Sequence, residues 1–397
     1  MKFRTGDPEI AREINKALVL NMLRKNDRVS RAEIARTLAL SKVTVSTIVG
    51  DLIGKKFVVE QGIGESRENG GRKPILLSLD STKASVIGVD IGATTTAVAL
   101  GTLKGEIISA DREPTAVSHT VEKVTAQVSR LVARAVTKAG GAKSRIIALG
   151  VSVAGIVDHR NGFIHVSPDF GWENVPIREI LERETRLHVV LDNCTRAMTL
   201  GEKWYGCVND APNVFYVNVG YGIGSALIIN NHIYDSHSEF GHTPVTSKPV
   251  RCHCGKLGCL EAVASGSAIE SQCNGKRSPG TDGWLSARDL AERARGGNQE
   301  VQRVFAGAGR YLGRAISVAT NLFNPDKIIL GGAVTLAQDL FFDALLSEFQ
   351  KRTMDVIKNH AKVELSALGR DAGVLGAIAL ALNFSLFKPG LVDSLRA

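Results

Sequence analysis

No uninterrupted run of about 18 apolar residues occurs in the chain, the length that a membrane-spanning helix needs, so no membrane partner is expected. The first residues, MKFRTGDPEIAREINK, are charged throughout and lack an apolar stretch, which argues against a secretory leader. Together these absences make the cytoplasm the expected location. Cysteine is scarce, six in 397 residues, yet Cys252, Cys254 and Cys259 crowd into RCHCGKLGCLE at 251–261. Disulfides rarely persist in a reducing compartment, so the clustering points to a metal and away from crosslinks. Disorder is excluded too, because 44% of residues are hydrophobic and only 22% charged, enough to bury large cores. At about 100–200 residues per domain, the length suits two or three domains.

The positive charge is uneven. Of the net +9, residues 1–80 carry +5, with 15 Lys and Arg against 10 Asp and Glu. A basic N-terminal segment suits an anionic partner, nucleic acid first.

The apolar pattern of IAREINKALVLNMLRK predicts a helix. In SRAEIARTLAL, Ser30 with Glu33 three residues on is a capping-box signature for a second helix. Ser41 can cap a third, KVTVSTIVGDLIGKKF, whose Val45, Ile48, Val49 and Leu52 share one face. Ser41, Lys42, Thr44, Ser46 and Thr47 are left to meet base edges or phosphates. Then FVVEQGIGESRENGGRKPILLSL predicts two strands around a Gly-rich charged tip, in which Arg72 and Lys73 can enter a minor groove. Residues 1–82 thus read as a winged helix-turn-helix binding a double-stranded DNA operator. A protein-binding module of the same shape is the alternative.

Beyond them, SVIGVDIGATTTAVALGTLKGEII (85–108) reads as strand, Gly turn, strand, turn, strand. The pattern returns at VFYVNVGYGIGSALIINNHIY (214–234) and partly at DKIILGGAV (326–334). With helices between them, the fold is expected to be α/β, two similar lobes around a cleft. Asp90, Gly92 and Thr94 in the first turn, and Gly220 and Gly222 in the second, are of the type that faces phosphates, and Asp90 could hold a cation through water.

His242 precedes the cysteine loop in the pattern H-x9-C-x-C-x4-C. Three thiolates and an imidazole close a tetrahedral Zn²⁺ shell, one ion per chain, which is structural because no position stays open for substrate. Glu239 and Glu261 flank the ligands; held together by the metal, two carboxylates suit the hydroxyls of a sugar.

The motifs ExGH (239–242), CxCGxxGCLE (252–261) and DxGxT (90–94), behind a helix-turn-helix, resemble the ROK family of repressors, open reading frames and kinases. Within it the chain is similar to the transcriptional repressors of xylose and N-acetylglucosamine utilisation. The resemblance implies an actin/hexokinase-like (ribonuclease H-like) domain over 83–397. Lobe one would take about 83–190 plus a C-terminal helix at about 372–397, and lobe two about 191–371. It also implies a homodimer or homotetramer with a small sugar effector bound by Asn193, Glu239, His242, Glu261 and Asp169, the last where relatives often have Asn.

LDNCTRAMTLGE (191–202) lines up with the kinase pattern ENDANAAALGE, which puts Cys194 where kinases keep their catalytic Asp. A thiol near pKa ~8.5 is a poor proton acceptor at neutral pH. DIGATT in place of DIGGTK adds Ala93 and loses a Lys at Thr95, and GYGIGSA departs from GTGIGGG. The expectation is a sugar-responsive repressor with no catalytic residue and a vestigial phosphate site. The alternative is an active sugar kinase carrying a DNA-binding domain, with Asp192 as its base.

Overall fold

The computed structural model describes residues 8–64, 73–138, 145–235, 238–275, 277 and 281–387. The chain opens with α1 (Pro8–Lys25), β1 (Val29–Ser30), α2 (Arg31–Thr37) and α3 (Lys42–Gly54). A hairpin of β2 (Val58–Ile63) and β3 (Ile75–Leu79) follows, and the small sheet runs β1-β3-β2. Both N-cap signals are realised: Ser30 Oγ accepts from the Glu33 N–H at 3.2 Å, and Ser41 Oγ from the Thr44 N–H at 3.0 Å. The return bond from Glu33 that a full capping box adds is not formed among the described residues; Ser30 is also in the ladder, opposite Leu76. The third helix ends at Gly54, short of the Phe57 that its sequence suggested, because Lys56 adopts a left-handed φ of 61° and turns the chain into β2. The strand pair has formed, whereas the tip at 65–72, with Arg72, lies outside the described residues; Lys73 is exposed.

The first large sheet is built from β4 (Ala84–Ile91), β5 (Thr95–Thr102), β6 (Ile107–Pro114) and, after α4 (Val121–Lys138), β7 (Arg145–Val153). A small antiparallel sheet of β8 (Ile156–Asp158), β9 (Phe163–Ser167) and β10 (Trp172–Val175) is inserted next. Then come α5 (Ile177–Thr185), β11 (Val189–Asn193) and α6 (Cys194–Tyr205). The sheet order is β11-β7-β4-β5-β6, with the β4–β5–β6 meander antiparallel and β7 and β11 parallel to β4.

The second large sheet repeats that plan with β12 (Val214–Val219), β13 (Ile223–Ile229) and β14 (His232–Ile233) as its meander. Four helices follow, α7 (Leu260–Ala264), α8 (Gly266–Asn274), α9 (Ala287–Arg295) and α10 (Gln299–Phe323). The parallel strands β15 (Lys327–Gly331) and β16 (Lys362–Leu365) enclose α11 (Gln338–Arg352) and α12 (Asp355–Lys358). The order is β14-β13-β12-β15-β16. DKIILGGAV, which looked like a third partial copy of the strand–glycine unit, is β15, the counterpart of β7 in the second sheet. β11 pairs with β7 through Asn193, and α6 follows it directly.

The last α-helix among the described residues, α13 (Ala372–Leu382), returns to the first sheet, and ten of its eleven residues are buried. It lies directly on the strand backbone, because a Cβ on Gly150 would fall 1.9 Å from Ala377 O and one on Gly88 2.5 Å from Val374 O. The stretch Gly369–Phe387 is long and apolar enough to cross a membrane, but 67% of it is buried inside the protein, as a core helix. The opposite face of the sheet packs Val124, Val128 and Leu131 of α4 with Ile177 and Leu181 of α5.

Candidate functional site

Between the two large sheets lies a cavity of about 1450 Å³. Small-molecule pockets run to roughly 300–1,000 Å³, so one small ligand leaves part of it free. Asp90 reaches it from the end of β4, Gly92 and Thr94 from the β4–β5 turn, and Gly220 and Gly222 from the β12–β13 turn. Asp169, Asn193 and Cys194 line it from the first lobe, and Glu239, His242 and Glu261 from the second.

Asn193 has two roles. Its Oδ1 caps α6, accepting from the N–H groups of Thr195 at 2.9 Å and Arg196 at 3.3 Å, and its Nδ2 donates to Gly155 O at 2.9 Å. A primary amide has two N–H donors, so one remains for a ligand hydroxyl. Asp192, one residue earlier, points elsewhere. It is buried, accepts from Arg196 Nε at 2.9 and 3.1 Å and from the Asn193 N–H at 2.7 Å, and does not line the cleft.

Cys194 faces the cleft from the first turn of α6. Burial, reinforced by the nearby Asp90 carboxylate, pushes its thiol up to about 12. Cys194 is therefore a neutral thiol at physiological pH. Asp90 itself is raised by burial and drawn back by a 2.7 Å hydrogen bond from Ser152 Oγ.

Glu261 ties the cysteine loop to the second Gly turn. Its Oε2 accepts from the Ile223 N–H at 2.9 Å, and a Cβ at position 222 would lie 2.6 Å from that oxygen and push the carboxylate aside. Asp169 is raised by burial first and by Glu261 second, against the opposing pull of His253, His119 and His242.

Sequence reasoning passed over His253, Tyr221 and Arg112, all of which line the cleft. The position of His253 between two presumed ligands was a usable signal, because a loop pinned at Cys252 and Cys254 fixes what lies between. Arg112 carried none: it reaches the cleft because β6 pairs it with Ala97 of β5, and it meets Asp371 at 2.5 Å.

Around the loop, the ligand atoms of His242, Cys252, Cys254 and Cys259 lie within 4.8 Å of one another and could hold a metal ion. Cys252 Sγ is 3.5 Å from His242 Nδ1, and Cys254 Sγ is 3.7 Å from Cys259 Sγ. The other ring nitrogen, His242 Nε2, is 3.7 Å from Glu239 Oε2. One imidazole could thus serve a metal with one edge and the cleft with the other.

On the N-terminal unit, α3 buries Val45, Ile48, Val49 and Leu52 and exposes Ser41, Lys42, Ser46 and Thr47. Thr44 departs from the expected outward face: it is half-buried, and its hydroxyl pairs with Ser41 Oγ at 2.8 Å. Val43 takes the outward position instead, 76% exposed.

The ROK family model matches residues 86–383. The chain belongs to the ROK family. Among its ROK relatives, a xylose repressor of Caldicellulosiruptor bescii is 30% identical over 97% of this chain and 99% of its own. A glucokinase of Halalkalibacterium halodurans is 31% identical over 73% of this chain and 92% of its own. In structure, a ROK family transcriptional regulator described as a homologue of the E. coli MLC protein superposes with a TM-score of 0.80. It covers 98% of this chain and 100% of its own at 24% identity, a likeness of fold.

Proposed function

We propose that this ROK protein is a cytoplasmic, sugar-responsive transcriptional repressor of carbohydrate-utilisation genes. One observation carries the reading: the likeness to the xylose repressor runs along 97% of the chain, N-terminal unit included, whereas that to the glucokinase covers 73%. The basic first eighty residues and the capped, outward-facing α3 support a winged helix-turn-helix on a double-stranded operator. Lys42, Ser46 and Thr47, with Lys73 and Arg72 from the wing, are the proposed contacts, and Val43 joins them because a methyl can read a thymine. As a homodimer or homotetramer the protein would present paired recognition helices to paired half-sites.

In the cleft, Glu239, His242, Glu261, Asp169 and the free N–H of Asn193 would take the sugar, a xylose-like or related ring. Asp90, Gly92, Thr94, Gly220 and Gly222 remain as a vestigial phosphate site. Kinase activity is not proposed, because Cys194 is a neutral thiol and Asp192 is held by Arg196.

We assign zinc to the His242, Cys252, Cys254 and Cys259 set. Tetrahedral Zn–S bonds of about 2.3 Å put sulfurs about 3.8 Å apart, and Zn–N near 2.0 Å shortens the mixed edge to about 3.5 Å. The observed 3.7 and 3.5 Å fit both edges. With four protein ligands the ion is structural, and its task is to hold His242 and Glu261 in the cleft wall.

The test is fluorescence anisotropy of the purified protein on DNA from upstream of its own gene, with and without pentoses, hexoses and N-acetylhexosamines. Specific binding that one sugar class alters is expected. Salt-sensitive binding with no sequence preference, or affinity that no sugar changes, overturns the reading.

A further inference from the structure

Two helices begin in the cleft and end against the N-terminal unit. The first, α6, is capped by Asn193 and closes on Trp204 and Tyr205, about 18 Å along at 1.5 Å per residue. The second, α13, begins beside Asp90, where a Cβ on Gly373 would lie 2.1 Å from the Asp90 carboxylate, and its chain continues to Phe387.

The pair is locked along its length. A Cβ on Gly376 of α13 would fall 2.4 Å from Ala197 O of α6, and one on Gly201 3.0 Å from Gly376 N. Packed backbone to backbone, the two cannot slide independently. At their far ends, Trp204 and Phe387 meet edge to face at 5.4 Å.

Both ends then touch α1. The Arg24 guanidinium lies 4.0 Å above the Trp204 ring and 5.8 Å from the Phe387 ring. Asn21 Nδ2 donates to Phe387 O at 2.9 Å. One continuous core runs from Leu20 and Leu23 of α1 to Val45 and Ile48 of α3 and to Ala197 and Ile378 of the helix pair. The junction leaves polar groups short: Arg24 Nε and Tyr205 Oη are buried with no hydrogen-bond partner among the described residues. Unpaired buried donors cost free energy, which offsets part of the stabilisation that this packing contributes.

At the cleft end, the second lobe grips α6 through Arg196. Its Nη1 donates to Tyr234 O at 2.5 Å and its Nη2 to Asp235 at 3.3 Å, both just beyond β14. Asp235 also accepts from Arg160 of the first lobe at 2.6 Å.

Resting on the proposed repressor function, we infer that α6 and α13 together transmit the state of the cleft to the DNA-binding unit, with Arg24, Trp204 and Phe387 as the output contact. A sugar engaging Asn193, or a second lobe shifting Asp235, displaces the α6 N-terminus. The locked pair carries the shift to Trp204 and Phe387. There α1 tilts, and α3 moves with it through their shared core. Coupling between distant sites requires an element that both can bias, and the helix pair is in contact with both.

The test uses the full chain labelled with 5-fluorotryptophan, the Trp204 resonance being identified by Trp204→Phe. D-xylose, D-glucose and N-acetylglucosamine are the probes. Trp204 should shift with whichever sugar binds. Asp235→Asn, which weakens the second-lobe grip without any sugar, should shift it as well. In anisotropy, sugar should change operator affinity by about 5–150-fold in the wild type, and Arg24→Met should cut that to within about twofold while sugar affinity holds.

A Trp204 resonance unmoved by Asp235→Asn overturns the route even if no sugar binds, and so does an Arg24→Met protein that keeps the full sugar effect. A wild type whose DNA binding ignores every sugar sinks the repressor reading separately, since the Asp235→Asn arm still decides the route.

Discussion

Cys194, with Ala93 and Thr95, is where this chain is proposed to part from an active sugar kinase. A general base is worth about 10²–10⁴-fold, and a thiol pushed up to about 12 provides none at neutral pH. Sugar-dependent ADP release should therefore be absent. Cys194→Asp alone should restore little turnover, because Ala93 and Thr95 still alter the phosphate turn; adding Ala93→Gly should reveal some. Wild-type turnover near one per second, an ordinary enzyme rate, would mean that the protein is a kinase.

Gly150 carries a prediction of another kind. Its missing Cβ is what lets α13 lie on β7, and the atom in the way, Ala377 O, is backbone that cannot rotate aside. Gly150→Ala should cost about 1–3 kcal/mol, read as a lower urea midpoint with unchanged secondary structure. A midpoint equal to the wild type's would show that the helix shifts freely.

At the scale of the element, α3 divides its residues by face. Lys42→Ala should weaken operator binding evenly across sequences and reduce the salt slope by about one. Val43→Ala should relax preference at one base position at a cost of about 1–3 kcal/mol. Thr44→Ala should leave base preference alone, because its hydroxyl belongs to the Ser41 cap. Anisotropy against a panel of single-base operator variants separates the three. A Thr44→Ala protein with altered base preference would reverse the assignment of the reading face.

For the whole molecule, the proposed metal loop, cleft and N-terminal unit would act in series. Elemental analysis should find one zinc per chain, and Cys254→Ser should release it. The released loop carries His242 and Glu261, so the sugar effect on DNA should vanish while DNA affinity without sugar persists. Protein purified without chelators and free of stoichiometric metal would remove zinc from the account. Linkage adds a check: whatever factor the sugar applies to operator affinity, the operator must apply to sugar affinity.

The sequence alone determined the local features. Ser30 and Ser41 marked helix starts because a cap needs only its own next three residues. The apolar face of α3 was legible because it follows the helical period. The His/Cys cluster that could hold a metal was legible because three of its four residues fall within eight positions and the fourth, His242, is ten before the first of them. The duplicated meanders showed themselves through repeated glycine turns.

What needed the tertiary structure were the relations between distant segments. Asp192 and Asn193 are adjacent in sequence and have unlike roles, decided by where Arg196 and Gly155 stand. Arg112 and His253 enter one cleft from lobes far apart in the chain. The register that sets α13 on Gly88 and Gly150 joins residues over 200 positions apart. Local pattern records a residue's own turn or face. Which faces meet is settled by packing, and packing depends on every segment at once.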